Sequence, residues 1–180
     1  LAAEGGLRDA AVLDFGCGCG RTIRHFAHLE NTRLHGTDYN PALVDWCRRN
    51  ITPRHPNFRF QQADVFNSLY NEAGRARASE YRFPFGDASF DFAFATSVFT
   101  HMLPDELANY VGELARVLAP GSRCLASMLL LNEEAERCIE ASISGFLALL
   151  TIACLDGSTL LRARVFVSAM ITMRLSMFSA

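Results

Sequence analysis

Short apolar runs alternate with amphipathic stretches along most of this chain, the rhythm of a layered α/β sheet. AVLDF at 11–15 is an apolar run broken by one acid and predicts a buried first strand. Residues 21–30 place Ile23, Phe26 and Ala27 on one stripe, which predicts a helix. A second strand is expected at 33–37, ending at Asp38. Asn40 and Pro41 then start a helix, Asn as the cap and Pro in the first turn, with Leu43, Val44 and Cys47 facing inward. A third strand spans 58–62 and ends at Asp64, and residues 67–82 read as an exposed polar insertion around GRARAS. FDFAFA gives a fourth strand at 90–96. Residues 104–118 form an amphipathic helix carrying Leu107, Val111, Leu114 and Leu118, stopped by Pro120 and Gly121. A fifth strand is expected at 124–131.

The predicted fold class is therefore α/β, a doubly wound, mostly parallel sheet with helices on both faces, its C-terminal strands left open. Residues 1–140 form the domain that carries this pattern, and 141–180 form an atypical apolar tail in which Asp156 is the sole acid. Within that tail, ARVFVSAMITM fits either a sixth strand or a non-native end from a truncated or shifted reading frame. ISGFLALLTIACL at 143–155 is too short for a confident membrane span. The chain opens with Leu1 and runs into a strand within a dozen residues, as a piece cut from a longer protein would, so a targeting peptide could have been lost.

Composition narrows the function. With 180 residues, half of them hydrophobic, and a net charge of −2, the chain reads as one soluble domain with no electrostatic case for nucleic acid or an anionic membrane as partner. All 17 basic residues are arginine, which excludes a Schiff-base lysine and a phosphate-loop lysine. Six cysteines occur without a CxxC pair or zinc-like His/Cys spacing, so no metal is expected. Cys17 and Cys19 are too close for an ordinary disulfide. Free thiols in a reducing compartment are expected, and with them a cytoplasmic location.

The candidate site is the turn VLDFGCGCGR after the first strand. In an open parallel sheet, ligands bind beyond the carboxyl ends of the strands, near the switch in strand order. Glycines let the backbone approach a ligand, and the following helix start offers free N–H groups. A Walker loop needs a lysine. A dinucleotide loop wants GxGxxG, and Arg21 stands where its third glycine belongs. The observed spacing is Gly16-x-Gly18-x-Gly20. Asp38, about twenty residues on, can accept both hydroxyls of a ribose, Asp64 can face an adenine amino group, and Asp14 adds a third acid. This set suits a nucleoside with a cationic tail.

VLDFGCGCGR, HGTDYNP, FQQADV, FPFGDASFDFAFATSVFTHM and ELARVLAPGSRCLASML, in this order, resemble the class I S-adenosylmethionine-dependent methyltransferases over about residues 8–134, most closely the small-molecule enzymes. The resemblance implies a Rossmann-like methyltransferase fold, S-adenosylmethionine as cofactor and a small-molecule methyl acceptor. It implies that Gly16, Gly18 and Gly20, with Cys17 between them, meet the methionine portion. Asp38 would hold the ribose, Tyr39 would cover the adenine face, and Asp64 and Val65 would contact the adenine edge. Thr96 and Ser97 would line the methionine side and the mouth of the acceptor pocket. The family's usual C-terminal antiparallel hairpin is not evident in the tail.

Methyl transfer needs a base only when the acceptor arrives protonated. His101, in the loop after the fourth strand, is the candidate, and Phe99 beside it is the aromatic candidate for acceptor contact. His25 and His28 share a helix face without a third ligand, and His35 and His55 have no partners in the pattern. The competing functions are a nucleotide-type oxidoreductase on a related fold and a cofactor-binding piece without catalysis.

Overall fold

A computed structural model describes residues 7, 9–29, 31–129 and 150–156, with side chains for these except His101, Met128, Leu129 and 150–156. Strand β1 (Ala11–Phe15) is buried along its whole length. Val12 and Leu13 point to opposite faces and are both fully buried, so the sheet must be covered on both sides. β2 (Arg33–Asp38) and β3 (Phe58–Gln62) add in parallel on one flank of β1. β4 (Phe90–Ala95) and β5 (Leu118–Leu129) add in parallel on the other, and β6 (Leu150–Asp156) pairs antiparallel with β5. The order is β3-β2-β1-β4-β5-β6, so the winding direction reverses between β1 and β4. This is the doubly wound, mostly parallel α/β sheet expected from the pattern.

Helices lie on both faces. Helix α1 (Pro41–Asn50) is capped by Asn40, whose Oδ1 accepts from the Ala42 and Leu43 N–H groups, with Pro41 in the first turn. Its Val44 and Cys47 pack with Val12, Leu34, Phe58, Phe60, Phe92 and Phe94. On the other face, α2 (Pro104–Val117) buries Tyr110, Val111, Leu114 and Val117 against Leu13, Phe15, Ala93, Ala95 and Cys124.

Two expectations are corrected. The helix expected over 21–30 is not formed in its described part, residues 21–29; one 3-10 turn, η1 (Ile23–Phe26), stands there, with i→i−3 bonds from His25, Ala27 and Leu29. Thr22, Ile23, His25 and Phe26 are all poor helix formers, and the segment is too short to offset its nucleation. Ile23 still buries and Phe26 stacks on Phe94, so the apolar stripe is used without the helix. Secondly, Pro120-Gly121 does not simply separate helix from strand. β5 begins at Leu118, and the ladder slips between the Phe90–Leu118 and Phe92–Arg123 pairs, with Gly121 at φ 82° in between. β6, LTIACLD, overlaps the end of the apolar run at 143–155. ARVFVSAMITM, and residues 130–131 of the expected fifth strand, lie outside the described residues. No helix among the described residues is long and apolar enough to cross a membrane.

Candidate active site

The glycine turn leaves β1 at Gly16 and is tied at once to β2: the Gly16 and Cys17 N–H groups both donate to Thr37 O, at 2.8 and 3.0 Å. Two glycines there do different work. Gly16 has φ 77°, and a Cβ on it would sit 2.3 Å from Val98 Cγ2, so glycine lets the post-β4 segment close down on the turn. Gly18 has φ 51°, and a Cβ on it would meet nothing within 4 Å. The apex of the turn therefore faces open space. Gly20, at the end of the turn, packs toward Ile51 and Cys47.

Asp38 joins the turn to the end of β2. Its Oδ2 accepts the Gly18 N–H at 2.8 Å and its Oδ1 accepts the Asn40 N–H at 2.9 Å. An ionised carboxylate has about four acceptor sites, so two remain for a ligand's hydroxyls.

A cleft of about 120 Å³, open to solvent, lies beyond the carboxyl ends of β1, β2, β3 and β4, where the strand order reverses. Gly16, Asp38, Tyr39, Val65 and Ser97 line it, which brings together five of the residues expected from the sequence. Six others of that set lie off its walls. Asp64 turns outward, its Oδ2 2.6 Å from Arg75 Nε in an exposed ion pair; the Arg75 hydrogen bond is the main cause of its depressed pKa. Thr96 is exposed beyond β4, which ends at Ala95. Gly18 and Gly20 are backbone of the turn. Cys17 is buried behind it; its thiol and that of Cys47 both donate to Gly18 O, at 3.6 and 3.5 Å, and the neighbouring Cys47 thiol together with burial holds the Cys17 thiol far above the usual range.

Asp14 is the sixth. It is 1% exposed at the end of β1, directly behind the turn, and neither carboxylate oxygen has a hydrogen-bond partner among the described residues. Burial raises its pKa to about 8, repulsion from Asp38 adds to this, and the Ile23 backbone N–H opposes it without reaching hydrogen-bond geometry.

The segment after β4 closes the cleft's mouth. Ser97 sits at φ 58°, a left-handed conformation rare outside glycine, and its N–H donates to the buried Ser127 Oγ at 2.6 Å. His101 ends the 3-10 turn η2 (Phe99–His101), between Val98 and Met102, which both line the cleft; its side chain lies outside those described. Phe99, the aromatic candidate for acceptor contact, is 6% exposed, packs in the core cluster with α2 and does not line the cleft.

Sequence reasoning missed the opposite wall, built by Phe66, Asn67, Ala78, Met102, Glu106 and Tyr110. Glu106 Oε2 accepts the Leu103 N–H at 2.9 Å, which fixes the start of α2. Tyr110 packs on Phe15 and Phe83, and burial holds its phenol well above its usual range and so neutral. Glu106 and Tyr110 stand at i and i+4 on α2, so the helix periodicity carried the signal that one face reaches both core and cleft. Residues 67–82 are less detached than expected, because Asn109 Nδ2 donates to Ala78 O and Tyr81 O, both at 2.9 Å, and holds that segment on α2. At the rim, Tyr70 meets Tyr39 with ring centroids 5.8 Å apart.

The chemistry of this wall set is specific. Two carboxylates, Asp38 and Glu106, line the cleft and none of the lining residues is basic. A third carboxyl waits without a partner behind the turn. Tyr39 adds an aromatic flank to this acidic lining. Among the described residues no group of three or more His, Cys, Asp or Glu side chains could hold a metal ion, and Cys17, Cys19 and Cys47 form no disulfide.

Comparison with known proteins agrees with this geometry. A family model described as "Methyltransferase domain" matches residues 12–121. The chain is 31% identical over 120 residues to O-methyltransferase cnsE of Penicillium expansum, covering 66% of this chain and 37% of that protein. It is 29% identical over 127 residues to O-methyltransferase resE of Aspergillus sclerotiorum, covering 67% and 40%. The chain thus spans about two fifths of the length of these curated relatives. Among solved structures, a SAM-dependent methyltransferase from Aquifex aeolicus superposes with a TM-score of 0.52 at 17% identity, over 78% of this chain and 74% of that one, a likeness of fold.

Proposed function

We propose, from the premise that this chain belongs to the methyltransferase domain family, that its cleft binds S-adenosylmethionine and that the protein methylates a small-molecule acceptor. The observation that carries this is the bond between Asp38 and Gly18: it sets a ribose-binding carboxylate against the open apex of a glycine turn, at the switch point of the sheet. The unpartnered Asp14 carboxyl and the uncrowded face of Gly18 are what a cationic adenosyl ligand would complete, so the residues present fit that group.

When bound, S-adenosylmethionine supplies an electrophilic methyl group on a sulfonium. The chain's own residues have four tasks. Asp38 receives the ribose hydroxyls on its free lone pairs, and Tyr39 covers the adenine face. Val65 and its neighbour Asn67 flank the adenine edge in place of Asp64, which is committed to Arg75. The turn Gly16–Gly20 holds the amino-acid end. Ser97, Val98 and Met102 narrow the mouth so that acceptor and methyl meet in line, and such alignment is worth roughly 7–11 kcal/mol of barrier.

The relatives are named O-methyltransferases, and a hydroxyl acceptor must lose its proton. We assign that role to His101, on the turn between two cleft-lining residues. The free thiols fit a reducing compartment, and we place the protein in the cytoplasm on that ground. A second reading, ligand binding without transfer by this chain alone, is favoured by its short span against those relatives.

The test is transfer of an isotopically labelled methyl group from S-adenosylmethionine to a panel of phenols, alcohols and amines. Labelled product is expected from a hydroxyl acceptor, and His101→Asn should lower its rate about 10²–10⁴-fold with ligand affinity unchanged. Tight binding without product on any acceptor supports the second reading.

A further inference from the structure

The search for chemistry that the cleft leaves unused ends at Asp14. Every element packed around it withholds a counter-charge. Its ladder neighbours are Gly36 on β2 and Phe94 on β4. The 3-10 turn contributes Ile23, the glycine turn the neutral Cys17 thiol, and α1 the Cys47 thiol. The charged group close enough to act on it is Asp38, of the same sign. Both of its oxygens lack a partner among the described residues and it is 1% exposed. A carboxylate so placed has neither water nor donor, and protonation is the cheaper state.

The group is nonetheless set for a ligand. Gly16, two residues on, lines the cleft, and so does Asp38, the carboxylate that repels it. A cation lodged between the turn and Asp38 would cancel that repulsion and supply the missing counter-charge.

We propose that Asp14 is the charge-reading residue of this cleft: neutral in the free protein, it ionises when a cationic ligand seats against the glycine turn, so that the sulfonium form is held more tightly than the uncharged thioether left after transfer. The proposal rests on the reading of the cleft as the S-adenosylmethionine site. In the step, the carboxyl O–H bond breaks, its electron pair stays on the Asp14 oxygen, and the proton passes to solvent. One cation enters and one proton leaves. The charge-dependent grip also has a direction for turnover, because loss of the sulfonium charge lets Asp14 reprotonate and loosens the product. Consistent with this, the raised pKa of about 8 means the free protein carries the proton at neutral pH. Affinity for the cation then rises with pH up to that value, by at most about tenfold per unit, and levels off above it.

Titration calorimetry of the full chain at pH 7, in two buffers of different ionisation enthalpy, counts the protons released. S-adenosylmethionine and S-adenosylhomocysteine share the α-amino and α-carboxyl groups and differ at the sulfonium, so the part of their difference that Asp14→Asn abolishes reports the Asp14 proton. The expected result is an excess release approaching one proton for S-adenosylmethionine. Asp14→Asn, near-identical in shape, should abolish the excess and reduce the preference for the sulfonium ligand by on the order of tenfold. Equal proton release for both ligands in the wild-type chain overturns the proposal while leaving the cleft's assignment intact, and this needs no variant. Excess release that persists in Asp14→Asn also overturns it. No binding of either ligand overturns both.

Discussion

Gly16 and Gly18, two residues apart on one turn, should separate stability from binding. Alanine at Gly18 has open space for its methyl group, so its expected cost is the left-handed backbone alone, about 1–2 kcal/mol. Alanine at Gly16 adds overlap with Val98 Cγ2, a further penalty of about 1–3 kcal/mol. Denaturant unfolding should therefore rank Gly16→Ala below Gly18→Ala, while titration shows Gly18→Ala losing ligand affinity out of proportion to its stability loss. Asp14 supplies a second residue-scale prediction. Its folded pKa, about 8, lies above the ordinary carboxyl value of 3.8, so the folded state holds a proton that the unfolded chain gives up. Its stabilising contribution is whole below pH 3.8 and is lost as pH rises toward 8, by up to about 1.4 kcal/mol per unit. Asp14→Asn removes that slope, and its stability gain in urea unfolding should grow from pH 5 to pH 8. A gain independent of pH would contradict the buried, protonated carboxyl. At this scale the sequence was half legible. Asp38, Tyr39 and Val65 could be placed because they follow strand ends, whereas the outward turn of Asp64 depends on Arg75, a partner eleven residues away in irregular chain.

Elements hold the cleft's two jaws. Ser127 in β5 holds Ser97 in its left-handed state through the 2.6 Å bond to its N–H. Ser127→Ala should cost about 1 kcal/mol of stability and lower ligand affinity severalfold. Ser97→Gly in the same chain should restore most of that affinity, because glycine adopts positive φ unaided. Failure of this rescue would leave Ser127 a packing residue only. The opposite jaw depends on Arg116. It donates to both Glu113 oxygens, to Asp87 and to the carbonyls of Phe83 and Phe85, and so clamps the approach to β4 onto α2. Arg116→Met should destabilise by about 3 kcal/mol in thermal or urea unfolding, since it strands a carboxylate that is 13% exposed. Burial pushes the Glu113 pKa up, but Arg116 and the Phe83 N–H pull it below its ordinary value of 4.5 overall. The wild-type clamp should therefore weaken as pH falls below 4.5, and the Arg116→Met penalty should shrink with it. Element types were mostly readable from periodicity. β1, β3 and the start of α1 fall where the apolar pattern and the Asn-Pro cap put them. Residues 21–30 misled because an apolar stripe records which side chains bury, not whether the backbone between them coils at 3.6 residues per turn.

The molecule as a whole is a two-faced sheet whose winding reverses between β1 and β4, and the cleft opens at that reversal. That much followed from the order of apolar runs, because a strand buried on both faces calls for helices on both sides. The cleft's far wall and the sixth strand did not. Glu106 and Tyr110 reach the ligand space through the packing of α2, and LTIACLD carries no polar alternation to mark it as an edge. The α2 periodicity puts Glu106 and Tyr110 on one face, but which space that face meets, and which strand pairs with β5, is set by long-range packing that local pattern does not encode. The central claim is that the glycine turn and Asp38 together grip one adenosyl ligand, and calorimetric titration of the full chain with S-adenosylhomocysteine tests it most directly. One ligand per chain is predicted, with affinity lowered roughly ten- to a hundredfold in Asp38→Ala, the loss of about 1.5–3 kcal/mol of charged hydrogen bonding. A folded chain that binds none, or an affinity that Asp38→Ala leaves untouched, would contradict it.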